Sequence, residues 1–563
     1  MIIAPLATFV LALSSVRTRR SASAMAMFGS VLTLLLTILV AFGLARQSTA
    51  FVADYRWFSM SIAFNGPTSF QNFEMDLILR VDHLTVLALL VIEVIFIAAI
   101  GWHQVMGRAE PGAARFHAVL TLLLFTCVGI LVSADLVELL AFWAMAGAVT
   151  YILLTHRWGA DEPALRARVA LALPFVSDLC LLFGVGWFYA RYGVNTFASL
   201  VPILHTNPGW TERSIVFGSA LLFAGVAGRL TLWPFTAWIT RTGVTAPPAA
   251  WAIVQAAWSI AAVVVLYRLT PIFSASNTRT LQVMLGVCTA SAVITALLSL
   301  VGNEPRRVIA LAASSASAVG AAVVINSAYH SPAAYGVAGV AAVLVVAPAR
   351  VAVLLAIAAV AGAMRTDDLV EMGEAWRRMR SSAATMLTGA LLMGLAATGA
   401  LAYGMSTRSG FGLVLGEAVL LLSAGGLRVF LGASFGLLRR RRGFDPERMR
   451  EPQGAFGFPY WLLVAAAVLL GASLLTPYLD FLDGKRHPAA PLASVGVWAA
   501  VAVVGFAACS LAYWRGQDSA LGVSARVGGG LAWLGNRVYA VSERFLVAPS
   551  IGIARRYGGW VPG

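Results

Sequence analysis

Gly228-Arg229-Leu230-Thr231-Leu232-Trp233-Pro234-Phe235-Thr236-Ala237-Trp238-Ile239 sets an arginine and a proline close together inside an otherwise apolar run. Proline inside a helix removes one backbone hydrogen bond and clashes with the preceding turn. Hydrocarbon cannot satisfy the polar groups that such a break releases. A guanidinium at membrane depth costs roughly 3 kcal/mol on insertion scales and more in simulations. A segment with both features must face protein or water, so it belongs inside a bundle of spans.

The rest of the chain agrees. It has 563 residues, of which 60% are hydrophobic and only 12% charged, with a mean hydropathy of +0.83. No soluble fold of this length tolerates such a balance, which makes the chain an all-α polytopic membrane protein. A span needs about 20 apolar residues to cross the hydrocarbon. Fifteen runs qualify or nearly do: Ile2 to Val16, Ala24 to Arg46, His83 to Trp102, Arg115 to Ser133, Leu136 to Thr155, Arg168 to Tyr189, Ile215 to Ile239, Pro248 to Leu266, Leu281 to Gly302, Val308 to Ile325, Ala334 to Met364, Ala383 to Tyr403, Phe411 to Leu438, Tyr460 to Tyr478 and Ala490 to Trp514. The first is short and borders Arg17, Arg19 and Arg20. It lacks a small-residue cleavage site and reads as an anchor, not a processed leader.

The net charge of +15 does not point to nucleic acid, because the arginines sit in short loops and form no basic stripe on a soluble domain. Arg17/Arg19/Arg20, Arg108, Arg157/Arg166, Arg241, Arg306/Arg307, Arg365/Arg377/Arg378/Arg380 and Arg439 to Arg442 fall on alternate loops. By the positive-inside rule that set is cytoplasmic, which puts the N-terminus outside and the tail after Trp514 inside. The cell inner (cytoplasmic) membrane is the expected location. Cys127, Cys180, Cys288 and Cys509 lie singly in separate spans, and the histidines lack ligand spacing. Neither a disulfide framework nor a metal, haem or iron-sulfur site is expected, and no cofactor.

Apolar residues alternate around Phe58-Ser59-Met60-Ser61-Ile62, within Thr49 to Asp82, and predict a short external hairpin. From Ser519 to Gly563, Leu531, Leu534, Val538, Val541, Phe545, Leu546, Ile551 and Ile553 suit an amphipathic helix along the membrane face. Breaks within spans are expected at Pro234 and near Pro348, each with an arginine close by, as an internally repeated transporter would have. The expected organisation is therefore residues 1–133 as N-terminal spans with the external segment, 134–267 and 281–438 as two halves, 459–514 as C-terminal spans and 519–563 as the lateral helix.

Ionisable groups in or beside the spans are Glu93, Asp135, Glu138, Asp178 and Glu417, with Arg229, Arg350 and Arg428. Such groups mark an ion or proton route, or else hold helices in register as satisfied pairs. The only lysine is Lys485, in a loop; every other basic side chain apart from histidine is arginine. A desolvated lysine can give up its proton, whereas arginine stays charged. Any proton wire must then run through carboxylates, Tyr, Ser/Thr and water.

Arg80-Val81-Asp82-His83-Leu84-Thr85, Ala134-Asp135-Leu136 to Trp143, Gly228-Arg229 to Trp238 and Arg306-Arg307-Val308-Ile309-Ala310 follow one another in an order and spacing that resemble the antiporter-like membrane subunits, in particular subunit L of bacterial NADH:quinone oxidoreductase (respiratory complex I) and its relatives among multi-subunit cation/proton antiporters. Arg80-Val81-Asp82-His83-Leu84-Thr85 looks like the family's R-V-D-x-L-S at the third span, and Ala134-Asp135-Leu136 to Trp143 followed by Tyr151-Ile152-Leu153-Leu154 like its A-D-N-L…G-W-E…S-Y-L-L. Gly228-Arg229…Pro234-Phe235-Thr236-Ala237-Trp238 is similar to its broken seventh helix, and Arg306-Arg307-Val308-Ile309-Ala310 to its K-R-V-L-A. Asp368-Leu369 to Met372-Gly373 with Arg377-Arg378-Met379 looks like its D-I-R-R-M-G-G-L-R-R-K-M, and Trp533 to Pro549 resembles the segment by which its lateral helix runs along the partner subunits.

The resemblance implies two discontinuous helices in inverted five-helix repeats. It also implies a role in proton translocation beside other membrane subunits, with electrons handled by partner subunits and no redox site in this chain. Lipid and protons are the remaining expected partners. It implies Asp178 as the retained acid, Arg229 and Arg350 at the family's lysine positions, Gln255 (or Val254 if no residue is inserted) at its histidine position, and Arg306, Arg307 and Arg408 in the connecting loops. The family's acid after the tryptophan is Ala144 here, and Glu138, six residues earlier, is expected to stand in for it. Two other readings compete: a non-conducting structural subunit, favoured by the loss of every titratable lysine, and the membrane subunit of an inorganic-carbon uptake complex sharing this fold.

Overall fold

The computed structural model describes residues 1–14, 19–46, 50–63, 70–107, 112–156, 161–206, 212–243, 246–330, 336–405, 409–436, 449–451, 457–471 and 492–515. The amphipathic segment over 519–563, Lys485 and Arg408 lie outside the described residues.

The described residues form helices apart from one hairpin and the short connections. In order come α1 (Ile3–Ser14), α2 (Arg19–Ala45), β1 (Phe51–Ala63), β2 (Phe70–Val81), α3 (His83–Met106), α4 (Ala113–Val132), α5 (Leu136–Leu154), α6 (Asp161–Tyr192), α7 (Phe197–Thr206), α8 (Glu212–Arg229), α9 (Ala237–Thr242) and α10 (Pro248–Ser274). Then follow α11 (Thr278–Val301), α12 (Pro305–His330), α13 (Gly336–Met364), α14 (Ala375–Arg378), α15 (Arg380–Gly404), α16 (Gly410–Phe435), α17 (Phe458–Gly471) and α18 (Leu492–Arg515). Among the described residues, 12 helices are long and apolar enough to cross a membrane. The other three of the fifteen predicted runs are the two shorter apolar helices α1 and α17 and the interrupted pair α8/α9.

Burial sorts the spans into layers. The best spanning windows of α10, α12 and α13 are entirely buried, whereas those of α2 and α18 are mostly exposed. Exposed residues on the outer helices, such as Leu39, Phe42, Phe183 and Leu511, are apolar. That is the arrangement of a bundle whose rim faces lipid or other apolar surface. Small residues let the inner helices approach closely: a Cβ at Gly320 would lie 2.7 Å from the carbonyl oxygen of Gly339 on α13.

Bonds between helix ends give the bundle two faces. Gln104 at the end of α3 donates to Ser23 O at the start of α2 (3.4 Å), and Arg115 at the start of α4 donates to His156 O just beyond α5 (2.9 Å). Arg306 at the start of α12 lies near Gly243 O just beyond α9 (3.5 Å). These ends adjoin the arginine-bearing loops, so those loops share one face. On the opposite face the hairpin pairs antiparallel from Phe51↔Val81 to Ala63↔Phe70, longer than the predicted one, with a bulge between Arg56 and Phe58. It is stitched to the bundle by a bridge between Leu79 and Ser133.

The R-V-D motif ends this hairpin. Asp82 caps α3, accepting from Thr85 N (2.9 Å) and Thr85 Oγ1 (2.6 Å). Arg268 of α10 donates to Thr85 Oγ1 (2.7 Å) and Ser133 O (3.2 Å). Burial alone would push the Asp82 carboxyl up, but the Arg268 charge and the Thr85 bonds outweigh it and hold it below the usual carboxylate range. A depressed folded value means that Asp82 stabilises the fold above its unfolded value of about 3.9, and that this contribution is lost as pH falls through the lower folded value. Melting curves in detergent should therefore show Asp82→Asn melting below wild type at neutral pH, with the two converging as the medium becomes acidic below about pH 4. Parallel curves down to the lowest pH would reject this role.

Proline acts differently at its two predicted break points. At Pro234 the helix opens between Arg229 and Ala237. Pro348, by contrast, lies inside α13, which runs on as one helix from Gly336 to Met364, where the sequence predicts an interruption. The difference is in what receives the freed groups. Around Pro234 a hydroxyl from α11 and carbonyls of the segment itself do so, as described below. Pro348 sits in a helix packed by α10, α12, α15 and α17, and that packing outweighs the roughly 3 kcal/mol of an interior proline.

Candidate functional site

The opened segment carries its own accounting of polar groups. Leu232 N donates to Ala227 O (3.0 Å), Phe235 N to Leu232 O (2.7 Å), and the indole of Trp238 to Gly228 O (3.2 Å). Trp233 N donates to Ser291 Oγ on α11 (2.8 Å), and Thr231 Oγ1 to Ser314 Oγ on α12 (3.0 Å). Thr231 has φ +63°, which costs a β-branched residue about 1–2 kcal/mol. The cross-helix hydroxyl bond fixes it there. The break is thus tied to the second half of the bundle by side chains from α11 and α12.

Immediately before the break, Arg229 is aimed at Asp178 of α6. Its Nε donates to Asp178 Oδ1 (3.0 Å) and its Nη2 to Oδ2, so the pair is bidentate. The indole of Trp143 on α5 donates to the same Oδ1 (2.8 Å). The guanidinium lies over the ring of Trp258 on α10, 4.2 Å from its centroid, a cation–π contact in a dry setting. Trp143 and Trp258 meet edge to face at 5.0 Å, and Trp258 donates to Thr150 Oγ1 (2.9 Å). The side chains of Arg229 and Asp178 keep only 3% and 16% of their surface exposed. Gly147 of α5 is needed here, since a Cβ at that position would collide with Nη2 of Arg229.

Three residues before Trp258 on α10 is Gln255, on the same side of the helix. Its Nε2 donates to Trp251 O within the helix (3.2 Å), while Oε1 is buried without a hydrogen-bond partner among the described residues. Its backbone oxygen accepts from Arg350 Nη1 of α13 (3.2 Å). Nη2 of Arg350 donates to Ala313 O (3.1 Å) and Ser317 Oγ (2.8 Å) on α12. Arg350 is completely buried, and among the described residues no carboxylate lies within ion-pair distance. Helix α10 thus separates two buried guanidinium groups, one neutralised and one not.

Arg306 and Arg307 stand apart from this axis at its arginine-rich end. They line a polar cavity of about 730 Å³ with Thr240, Gly243, Asn303 and Arg365. There Arg306 pairs with Asp367 at 3.0 Å. Since Gly243 directly follows α9, the cavity opens beside the shorter piece of the broken helix.

Glu138 is not part of the pair. It lies in the first turn of α5, near the hairpin, with 6% exposure, whereas Ala144 is exposed on the outer surface of that helix. Six residues correspond to about 120° around a helix, so the carboxyl points into the bundle where the Ala144 position points out. Among the described residues no hydrogen bond or ion pair joins Glu138 to Asp178 or Arg229. Arg428 caps α11 by donating to Leu300 O (2.7 Å), Gly302 O (2.8 Å) and Asn303 Oδ1 (2.9 Å), and Glu417 is exposed on α16. Trp143, Trp258, Gly147 and Ser317 escaped the sequence reading as members of the site. Only the intramembrane position of the two indoles, which need an acceptor, hinted at them.

The broken helix, the intramembrane ion pair and the long buried α13 define an antiporter-like polytopic membrane fold. Residues 133–407 match the family described as NADH:quinone oxidoreductase/Mrp antiporter, TM. Similar proteins include the chloroplastic NAD(P)H-quinone oxidoreductase subunit 5 of Mesostigma viride, 26% identical over 274 residues, which are 48% of this chain and 40% of that one. NAD(P)H-quinone oxidoreductase chain 5 of Synechocystis sp. is 24% identical over 209 residues, 36% of this chain and 30% of that one. The putative antiporter subunit mnhA2 of Staphylococcus aureus is 23% identical over 228 residues, 40% of this chain and 28% of that one. The chain therefore spans less than half the length of these curated relatives. Among solved structures, a chain of the membrane-bound sulfane sulfur reductase, an archaeal respiratory membrane complex, superposes with a TM-score of 0.67 at 17% identity, covering 89% of this chain and 98% of that one. The resemblance drawn from the motifs is borne out, and the solved structure extends the shared fold well beyond the matched family segment.

Proposed function

We propose that this chain is an antiporter-like membrane subunit of a complex I-like or related energy-converting assembly and takes part in moving protons across the membrane. Quinone-type redox chemistry is assigned to partner subunits. Residues 134–267 and 281–438 act as two half-channels meeting at α10, in the cytoplasmic membrane of a cell, with the N-terminus outside and the arginine-rich face inside. The observation that carries this reading is the buried, bidentate Asp178–Arg229 pair at an opened helix.

The proton-bearing group of the pair is Asp178, because a guanidinium does not titrate at accessible pH. While the pair is closed, Arg229 occupies both carboxylate oxygens. Opening the pair frees those oxygens to accept a proton. Trp143 orients the carboxylate, and Trp258 gives the separated guanidinium a place to rest. Gln255 completes hydrogen bonds between the two halves without exchanging protons, and Arg350 supplies a fixed positive field to the second half. Arg306 and Arg307, in the first turn of α12, belong to the charged face through which protons are exchanged with the inner aqueous phase, and Arg408, beyond the end of α15, to the outer side.

The test is proton uptake by the whole assembly reconstituted in vesicles. Asp178→Asn is expected to lower uptake by at least about tenfold, as loss of a group that must itself carry the proton would. Uptake equal to wild type would instead identify a scaffold that closes the assembly without conducting.

A further inference from the structure

We propose that Glu93 is a second proton-exchange site, reached along a file of hydroxyl groups on α2 and separate from the segment 133–407. Glu93 sits near the middle of α3, about 15 Å from the start of the helix, and is fully buried. Its Oε1 accepts from Thr37 Oγ1 of α2 at 2.6 Å. Its Oε2 is buried with no hydrogen-bond partner, no ion pair of Glu93 occurs among the described residues, and the N-terminal ammonium of Met1 is a charged group that acts on it from a distance.

Helix α2 is one of the most exposed spans, yet Ser30, Thr33 and Thr37 are all fully buried. Their spacing of three and four residues puts them on one stripe of the helix, and that stripe faces inward. Ser30 donates to Ala26 O (3.0 Å) and Thr33 to Gly29 O (2.7 Å), which leaves the lone pairs of each oxygen available. Thr37 breaks the pattern and donates to Glu93. Ser30, the first hydroxyl of the stripe, lies seven residues, about 10 Å, along α2 from Ser23, whose carbonyl meets Gln104 on the arginine-rich face.

Helices packed in lipid use Ser and Thr for close contact, and Thr8 of α1 against Gly29 is such a contact. Packing alone does not call for a carboxyl at the end of the row. An acid at this depth marks an ion or proton route unless it is paired. A hard metal cation takes about six or more oxygen ligands, and this site presents a carboxyl and one hydroxyl. One proton is the ligand that fits it. The inference does not rest on the Asp178–Arg229 reading, so Asp178→Asn serves as a control that leaves the Glu93 signal in place.

Infrared spectra of the protein in lipid vesicles test this. Across the accessible pH range a carboxylic C=O band should titrate in wild type and in Asp178→Asn and be missing in Glu93→Gln. On transfer to D2O it should shift promptly. Ser30→Ala/Thr33→Val should slow that shift by about tenfold, as loss of relay groups would, while Thr33→Ser exchanges as wild type. No band difference between wild type and Glu93→Gln, a band that never shifts in D2O, or an exchange rate untouched by removing both hydroxyls would each overturn the proposal.

Discussion

Asp178→Asn is expected to destabilise the protein by about 3–5 kcal/mol, the cost of leaving one partner of a buried ion pair uncompensated. The carboxamide keeps the shape and can still accept from the Trp143 indole, so the loss isolates the charge. Arg229 has no second carboxylate among the described residues, and its Nη1 is already without a hydrogen-bond partner there. The double variant Asp178→Asn/Arg229→Gln should regain most of this stability, because it buries no net charge and neutral amides can bond to one another. Unfolding in detergent, followed by tryptophan emission, measures the cycle. Additive single and double losses would mean that the two side chains do not act as a pair.

That pair shows how far the residues could be read without coordinates. Asp178 and Arg229 stand out in sequence because each is costly at membrane depth, and the partner of such a group is another of the same kind. Span positions were legible for the same reason, since length and apolarity are set by the bilayer. Hidden from the sequence was everything decided by packing between distant helices. Trp258 lies under Arg229, Gly147 is the space for its Nη2, and from helices far along the chain Ser291 receives an opened backbone amide and Ser314 the Thr231 hydroxyl. Periodicity holds no record of those meetings. Pro348 misled for a related reason: a local rule about proline competes with the burial of almost all of α13, and burial prevails. The direction of Glu138 is likewise set by the turn of the helix, six residues taking its side chain about 120° away from that of Ala144.

Arg350→Met is expected to fold as well as wild type or better by up to about 4 kcal/mol, while losing the function proposed for it. Replacing a buried charged group with an apolar side chain of similar volume is often neutral or stabilising by 1–4 kcal/mol. Here no acceptor would be stranded. Gln255 O and Ala313 O lie within α10 and α12, where backbone amides already bond to them, and Ser317 Oγ donates to Ala313 O on its own (2.9 Å). A charge that is costly to bury and easy to remove needs a purpose other than stability. Its position supplies one: it lies across α10 from Arg229, so the two guanidinium groups share a single carboxylate between them. The Arg350 field raises the energy of any further cation entering the axis. Without it, proton movement through the second half should fall by about tenfold or more, while assembly is retained. Arg350→Lys, which keeps a positive charge but can lose its proton when desolvated, should fall between the two and acquire a pH dependence absent from wild type. A methionine variant that unfolds readily, yet translocates at the wild-type rate per assembled complex, would mark Arg350 as a strut between α10, α12 and α13.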